Sequence, residues 1–318
     1  MKLSSSDLKA FLDMNTNPTP VKRARQISRY FLTIAFMMIA GFACADKLSA
    51  SESLRIGFHR PSFHEYSRED LEISVKILTE EMGREIGIQT TVFMYDDIKL
   101  MRADFEQGKI NLVFSSPLLI ANKFDNTLLT DGFKLVPSGG NIDTLVVLTR
   151  KNEGMDNFSS LRGKKLGLIE NDPATDLYVN FLSRSSFHRD SQDIFKEIPR
   201  EKKSHQAILK LFFGQVDVIC VYENYYEITA ELNPQIFAKT QIIAHISGIL
   251  QSAGFFHKNV DPAFRERVIA EVIKLNTYAR GRQFLEIFKT EKALRVSPVE
   301  LAITRQLYSN YQRLSKTK

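Results

Sequence analysis

Three acids crowd one short stretch, GLIENDPATDLYVNF (167–181), where an apolar strand-like run turns into a helix. A strand-to-helix turn offers unpaired backbone N–H groups and a positive dipole end, which suit an anion. Here Glu170, Asp172 and Asp176 already supply negative charge. Two chemistries fit. Asp172, Thr175 and Asp176 can cap the helix, since acids in a first turn favour the dipole by about 0.3 to 1 kcal/mol. They can also recognise an amine or another donor-rich ligand.

Two further stretches place polar residues at the carboxyl end of an apolar run. Ser115, Ser116 and Pro117 follow INLVF, and Tyr222 and Glu223 follow VDVICV, with Tyr225 and Tyr226 just beyond. Ser115 and Ser116 can cap the next helix or bind a ligand. The Tyr222–Glu223 cluster is the better ligand candidate. His205 sits one residue after the cap-like Ser204. In FHRPSFHEY (58–66), Phe63, His64 and Tyr66 are candidate ligand contacts. His59, His64 and Glu65 would suit a divalent ion, but their irregular spacing and the lack of a third His argue against a metal. Cys220 lies inside VDVICVY and reads as core. No phosphate loop, paired-Cys motif or nucleophile elbow is present, and no cofactor is expected.

The elements that must hold these residues alternate. LRIGF (54–58) and TTVFMY are strands, separated by a helix that Ser67 and Asp70 open and that carries Leu71, Val75, Leu78 and Met82. A helix capped by Asp96 and Asp97 stops at Gly108, and INLVF (110–114) follows. Such alternation implies βαβ units with parallel pairing. The pattern recurs: FEQGKINLVFSSP is echoed by LFFGQVDVICVYE, matching Gly108 to Gly214 and Asn111 to Asp217. This fits two lobes built on one plan, with ligands outside the strand carboxyl ends. The run 142–149 is a candidate crossing to lobe two and 242–259 the candidate return. A stripe through Phe264, Val268, Val272, Leu275 and Ala279, and a helix opened by Ser297 and Glu300, are expected to pack on lobe one.

The whole chain of 318 residues is 43% hydrophobic, enough for about two domains. Its net charge of +6 is uneven: the first 45 residues hold six of the 43 Lys/Arg but two of the 37 Asp/Glu, so the remainder is near +2. That excludes a nucleic-acid surface. The basic cluster precedes YFLTIAFMMIAGFACA, which is short for a span of about 20 residues. It reads as a signal peptide (1–45) cleaved after Ala45, followed by a linker (46–53), which places the protein in the periplasm. Acylation of Cys44 and a retained anchor are the alternatives. Cleavage leaves Cys220 alone, without a disulfide partner in the chain.

Taken together, LRIGF, FEQGKINLVFSSP, IDTLVVLTRKNEGMDNFSSLRGKKLGLIENDPA, HQAILKLFFGQVDVICVYE and the helical tail resemble the periplasmic solute-binding proteins of phosphonate/phosphate-type ABC importers. The resemblance covers roughly 54–314, and SLRGKKLGL…DPA is its strongest cue. It implies an α/β, two-lobed type II periplasmic-binding-protein fold, with a mixed, mainly parallel sheet in each lobe and two crossover strands as hinge. Lobe one would comprise 54–144 plus 250–318, and lobe two 145–249. Anion-binding members carry Ser-Thr-Ser after the DPA turn, where this chain has Thr175, Asp176 and Leu177. A carboxylate about 4 Å from a phosphonate oxygen costs on the order of 1 to 4 kcal/mol. The family's aromatic near Ile120 is also missing, while Ser116, Pro117, His205 and Glu223 match.

The expected function is therefore non-enzymatic: a monomer that closes its lobes on a small polar solute other than phosphonate, for a membrane permease or a receptor. A cargo-less scaffold is the second reading. An enzyme using Cys220, His205 and Glu223 in pyrimidine-precursor chemistry is the minor one.

Overall fold

A computed structural model describes residues 53–63, 68–85, 87–137 and 143–316. His64 and Tyr66, the export segment and the Ser67 cap lie outside the described residues.

The first sheet begins with β1 (Ser53–His59), β2 (Gln89–Tyr95) and β3 (Leu112–Ser115). Helix α1 (Arg68–Glu85) connects β1 to β2, and α2 (Ile98–Glu106) connects β2 to β3. After α3 (Pro117–Lys123) comes β4 (Leu129–Pro137). The chain then enters a second sheet through β5 (Thr144–Arg150), β6 (Leu166–Ile169), β7 (Arg200–Glu201), β8 (Val218–Tyr222) and β9 (Thr240–Ser247). The helices of this part are α4 (Pro173–Phe187), α5 (Ser191–Ile194), α6 (Ser204–Phe212), α7 (Glu223–Leu232) and α8 (Gln235–Lys239). The chain returns through β10 (Ala253–His257), α9 (Pro262–Ile273), α10 (Ala279–Ile287) and β11 (Thr290–Val296), and α11 (Ala302–Lys316) ends it.

The sheets share a plan. Their orders are β11-β4-β10-β3-β1-β2 and β7-β6-β8-β5-β9. In each, three parallel strands run 2-1-3 or 7-6-8, and an antiparallel strand pairs with the third. The segment 242–259, the candidate return, comprises β9 and β10 in different sheets. Gly248, at φ 84°, makes the break in a left-handed conformation that disfavours side chains.

The echo between the halves extends to side chains. Gly108 and Gly214 end α2 and α6 at φ 70° and 73°. Asn111 accepts the Arg55 N–H at 2.8 Å while its own N–H donates back to Arg55 O at 2.8 Å. Asp217 accepts the Lys165 N–H at 2.9 Å and its own N–H donates to Lys165 O at 2.9 Å. Each pair locks the start of the third parallel strand of its sheet, β3 or β8, to the first of that set, β1 or β6. Asn111→Ala and Asp217→Ala should each cost about 1 to 3 kcal/mol, the range for a lost hydrogen bond that strands a backbone donor. Urea denaturation midpoints check this, and a neutral result at both positions would reduce the echo to coincidence.

Packing follows the alternation of each strand. Phe58, Leu112, Phe114 and Phe256 join Phe264, Val268 and Leu275 in one core cluster on the first sheet, so the 264–275 stripe packs where the sequence indicates. On the second sheet, Val218, Cys220 and Tyr222 face one cluster and Ile219 and Val221 the other. α11 departs from expectation. Its Leu307, Tyr308 and Tyr311 pack into the second sheet's core beside Leu177 and Tyr178, and Tyr311 donates to Asp190 Oδ1 at 3.2 Å. The stripe signals burial, but not against which sheet. The opening of this segment is as expected, with Ser297 and Glu300 forming a capping box.

Candidate functional site

The carboxyl ends of β3 and β8 border one hollow between the two sheets. Ser116 and Tyr222 both line it, with a cavity volume of about 90 Å³. From the first-sheet side come Ser62, Phe63, Leu135 and Phe288, and from the second Asn171, Asp172, Ser204 and Tyr225. Gln251 and Ser252, on the return crossing, close one wall.

The acidic turn explains itself locally. Asn171 stands at φ 56°, a left-handed conformation that Asn tolerates better than most residues. Asp172 then caps α4, its Oδ1 accepting from Ala174 N at 3.0 Å and Thr175 N at 3.3 Å, with Pro173 at the first helical position. The N–H groups that would have cradled an anion are thus used by the turn's own carboxylate. Among the described residues, Asp172 is also the only charged side chain lining the hollow.

Thr175 and Asp176 lie elsewhere. Thr175 is fully buried, its Oγ1 donating to Asp172 O at 3.0 Å. Asp176 faces Arg200, which donates to its two oxygens at 2.6 and 3.1 Å and is held above the ordinary guanidinium range first by those hydrogen bonds. This pair borders a separate polar hollow with Asn180 and Tyr311. The repulsion expected between Asp176 and a phosphonate therefore has no place in the geometry, and Asp172 is the acid that a ligand in the hollow would meet.

Ser115 is fully buried and its Oγ lies 3.0 Å from Ser62 Oγ, which is in turn 2.7 Å from His59 Nδ1. This chain presents Ser62 to the hollow and occupies His59, the first residue of the metal-like set. Ser116 is the N-cap of α3 and makes no side-chain cap bond. Tyr222 is buried and its hydroxyl donates to Leu250 O at 3.1 Å. Burial, then the Asp172 and Asp143 carboxylates, push its phenol well up, so it stays neutral. Glu223 opens α7 but does not line the hollow, and His205 is exposed on a wider adjoining groove. Cys220 is fully buried, and desolvation followed by Asp172 and Asp176 raises its thiol well above the ordinary range. A protonated thiol under the sheet makes a poor nucleophile, and the set Cys220, His205 and Glu223 shares no cavity.

Sequence reasoning missed Ser62, Asn171, Ser204, Gln251 and Ser252. Asn171 had a signal, since an Asn between a strand and an Asp-Pro helix start marks a left-handed turn. Gln251 had none, because its place depends on where the return crossing bends.

Paired mixed sheets of one order, joined by crossings and bordering a shared hollow at their strand ends, define the type II periplasmic-binding class. Residues 63–300 match the family described as ABC transporter, phosphonate, periplasmic substrate-binding protein, and the chain belongs to that family. No curated protein matches it in sequence. Solved structures similar to it include a binding protein component of an ABC phosphonate transporter from Pseudomonas aeruginosa (15% identity, TM-score 0.54, covering 83% of this chain and 88% of that one). PhnD1 from Prochlorococcus marinus in complex with methylphosphonate is similar at 11% identity and TM-score 0.55, covering 83% and 99%. XAC2383 from Xanthomonas citri bound to ATP is similar at 14% identity and TM-score 0.54, covering 83% and 98%. At these identities the likeness concerns the fold. Members of the family are solute-binding proteins of transport systems.

Proposed function

We propose that this chain is an exported solute-binding protein that closes its two lobes on a small polar solute bearing a cationic donor group, and presents it to a membrane permease or receptor. The observation that carries the reading is the shared hollow: Ser116 from one strand end and Tyr222 from the other line it together with Asp172. Among the described residues, no Lys, Arg or His lines it. From the described residues, a phosphonate there would meet one carboxylate and no compensating cation. An ammonium group would meet Asp172, the Asn171 turn and hydroxyls. Ser204 and Tyr222 mark the starts of α6 and α7, which have no side-chain cap bond and favour an acceptor group on the same solute. A zwitterion satisfies both. Contacts from both lobes would favour the closed state in proportion to their differential affinity.

The mature protein would begin after Ala45 and act as a monomer, with lobes at 54–144 plus 250–318 and at 145–249. His64 and Tyr66 remain candidate contacts, because Phe63 immediately before them lines the hollow.

Calorimetry against amines, amino acids, phosphate esters and oxyanions tests the reading. An amine-bearing solute should bind most tightly. Asp172→Asn keeps an acceptor at the cap while removing the charge. It should weaken that solute at least about tenfold and strengthen methylphosphonate, a shift of the order of 1 to 4 kcal/mol for one charge at close range. Tighter binding of methylphosphonate than of every amine by the unaltered protein would overturn the choice of solute.

A further inference from the structure

The small hollow does not end at Tyr225. Pro137, Tyr225 and Thr290 also line a second and much larger groove of about 950 Å³, so the two adjoin. One helix runs through both. Tyr222 and Tyr225, at the start of α7, border the small hollow, while Tyr225, Ile228 and Leu232 border the large groove. The spacing 225, 228, 232 puts these three on one helix face. Along that face Tyr225 and Ile228 are half-buried and Leu232 is 85% exposed. Leu209 and Leu285 add apolar wall, and Arg282, Glu286 and Lys289 stand on the opposite lobe. A solute that filled only the 90 Å³ hollow would leave this apolar stripe without a function.

We propose that the natural solute is an amphiphile, its polar head in the hollow beside Asp172 and its hydrocarbon chain laid along the Tyr225–Ile228–Leu232 face of α7. The inference rests on the solute-binding reading above and adds the chemical class of the solute. The seven helical steps from Tyr225 to Leu232, at 1.5 Å each, span about 10 Å. An extended chain advances about 1.2 Å per bond, from three backbone bonds per residue length, so the groove accommodates about eight carbons. Exposure on one side limits the gain to about twofold to fourfold per methylene.

The test is a calorimetric series with two heads: linear 2-amino acids from alanine to 2-aminodecanoic acid, and alkylphosphonates from methyl to octyl. Within at least one series, affinity should climb with each carbon, level off near eight and reach on the order of a hundredfold above the shortest member. Leu232→Asp and Ile228→Asp should flatten that climb while leaving the shortest binding member within about twofold, and circular dichroism should show both variants folded. Equal affinity across chain length, or a climb that survives both substitutions, would overturn the amphiphile while leaving the solute-binding reading intact. No binding by any member of either series would overturn both together.

Discussion

Ser116→Trp should abolish solute binding, by at least about a hundredfold, and leave the protein folded. Ser116 makes no side-chain cap bond at the start of α3, so its loss costs the helix at most about 1 kcal/mol. The indole has to go into a cavity of about 90 Å³ and fills the space the solute's head would occupy. The natural chain has no tryptophan, so the introduced ring is the sole indole and reports its own surroundings. Its emission should be blue-shifted, because Phe63, Leu135 and Phe288 line the same cavity. Red, solvent-like emission with unimpaired binding would mean that Ser116 and Tyr222 do not share a hollow, and the proposed function would fall with that geometry.

Gly132→Ala should destabilise the protein by about 3 kcal/mol or more, near the upper end for a single substitution. A Cβ at Gly132 would lie 2.0 Å from Gly254 O and 2.8 Å from its carbonyl carbon, a clash with backbone that no rotamer relieves. Gly254 is itself tight against Phe114, with a Cβ position 2.5 Å from that ring. β4 and β10 therefore approach closely where Gly132 faces Phe255 and Gly254 faces Phe133, beside a bulge at Phe255/Phe256. Forcing them apart would also move Gln251 and Ser252, which precede β10 and line the hollow. Gly154→Ala is the control: at φ 70° with open space around it, it should cost only about 1 to 2 kcal/mol. Comparable denaturation midpoints for the two variants would show that the sheet accommodates the methyl, and that the close approach does not constrain this part of the fold.

Local patterns were the most legible part of the molecule. The echo around Gly108 and Gly214 is visible because a helix stop, a polar strand start and an apolar run are encoded within about a dozen residues, and Asn111 and Asp217 make equivalent bonds in the two halves. The Asp172 cap was legible for the same reason: its partners are two and three residues away. Cys220 as a core residue followed from its apolar neighbours.

What misled was also local. The turn's alignment put Thr175 and Asp176 where a ligand would sit, but a helix advances 100° per residue, so neighbours in sequence face different directions. Thr175 turned inward, and Asp176 turned to Arg200, a partner 24 positions away.

By itself, then, the sequence determined that strands and helices alternate, that two stretches echo each other around Gly108 and Gly214, and that polar residues follow the apolar strand in each. These are short-range consequences of periodicity, capping and turn chemistry. The tertiary structure alone decided that Ser116 and Tyr222 share a hollow, that Gln251 closes it, that α11 packs on the second sheet and that one face of α7 borders a wide groove. Each of those depends on how the two sheets and their crossings meet, and contacts between residues a hundred or more positions apart leave no periodic mark on either partner.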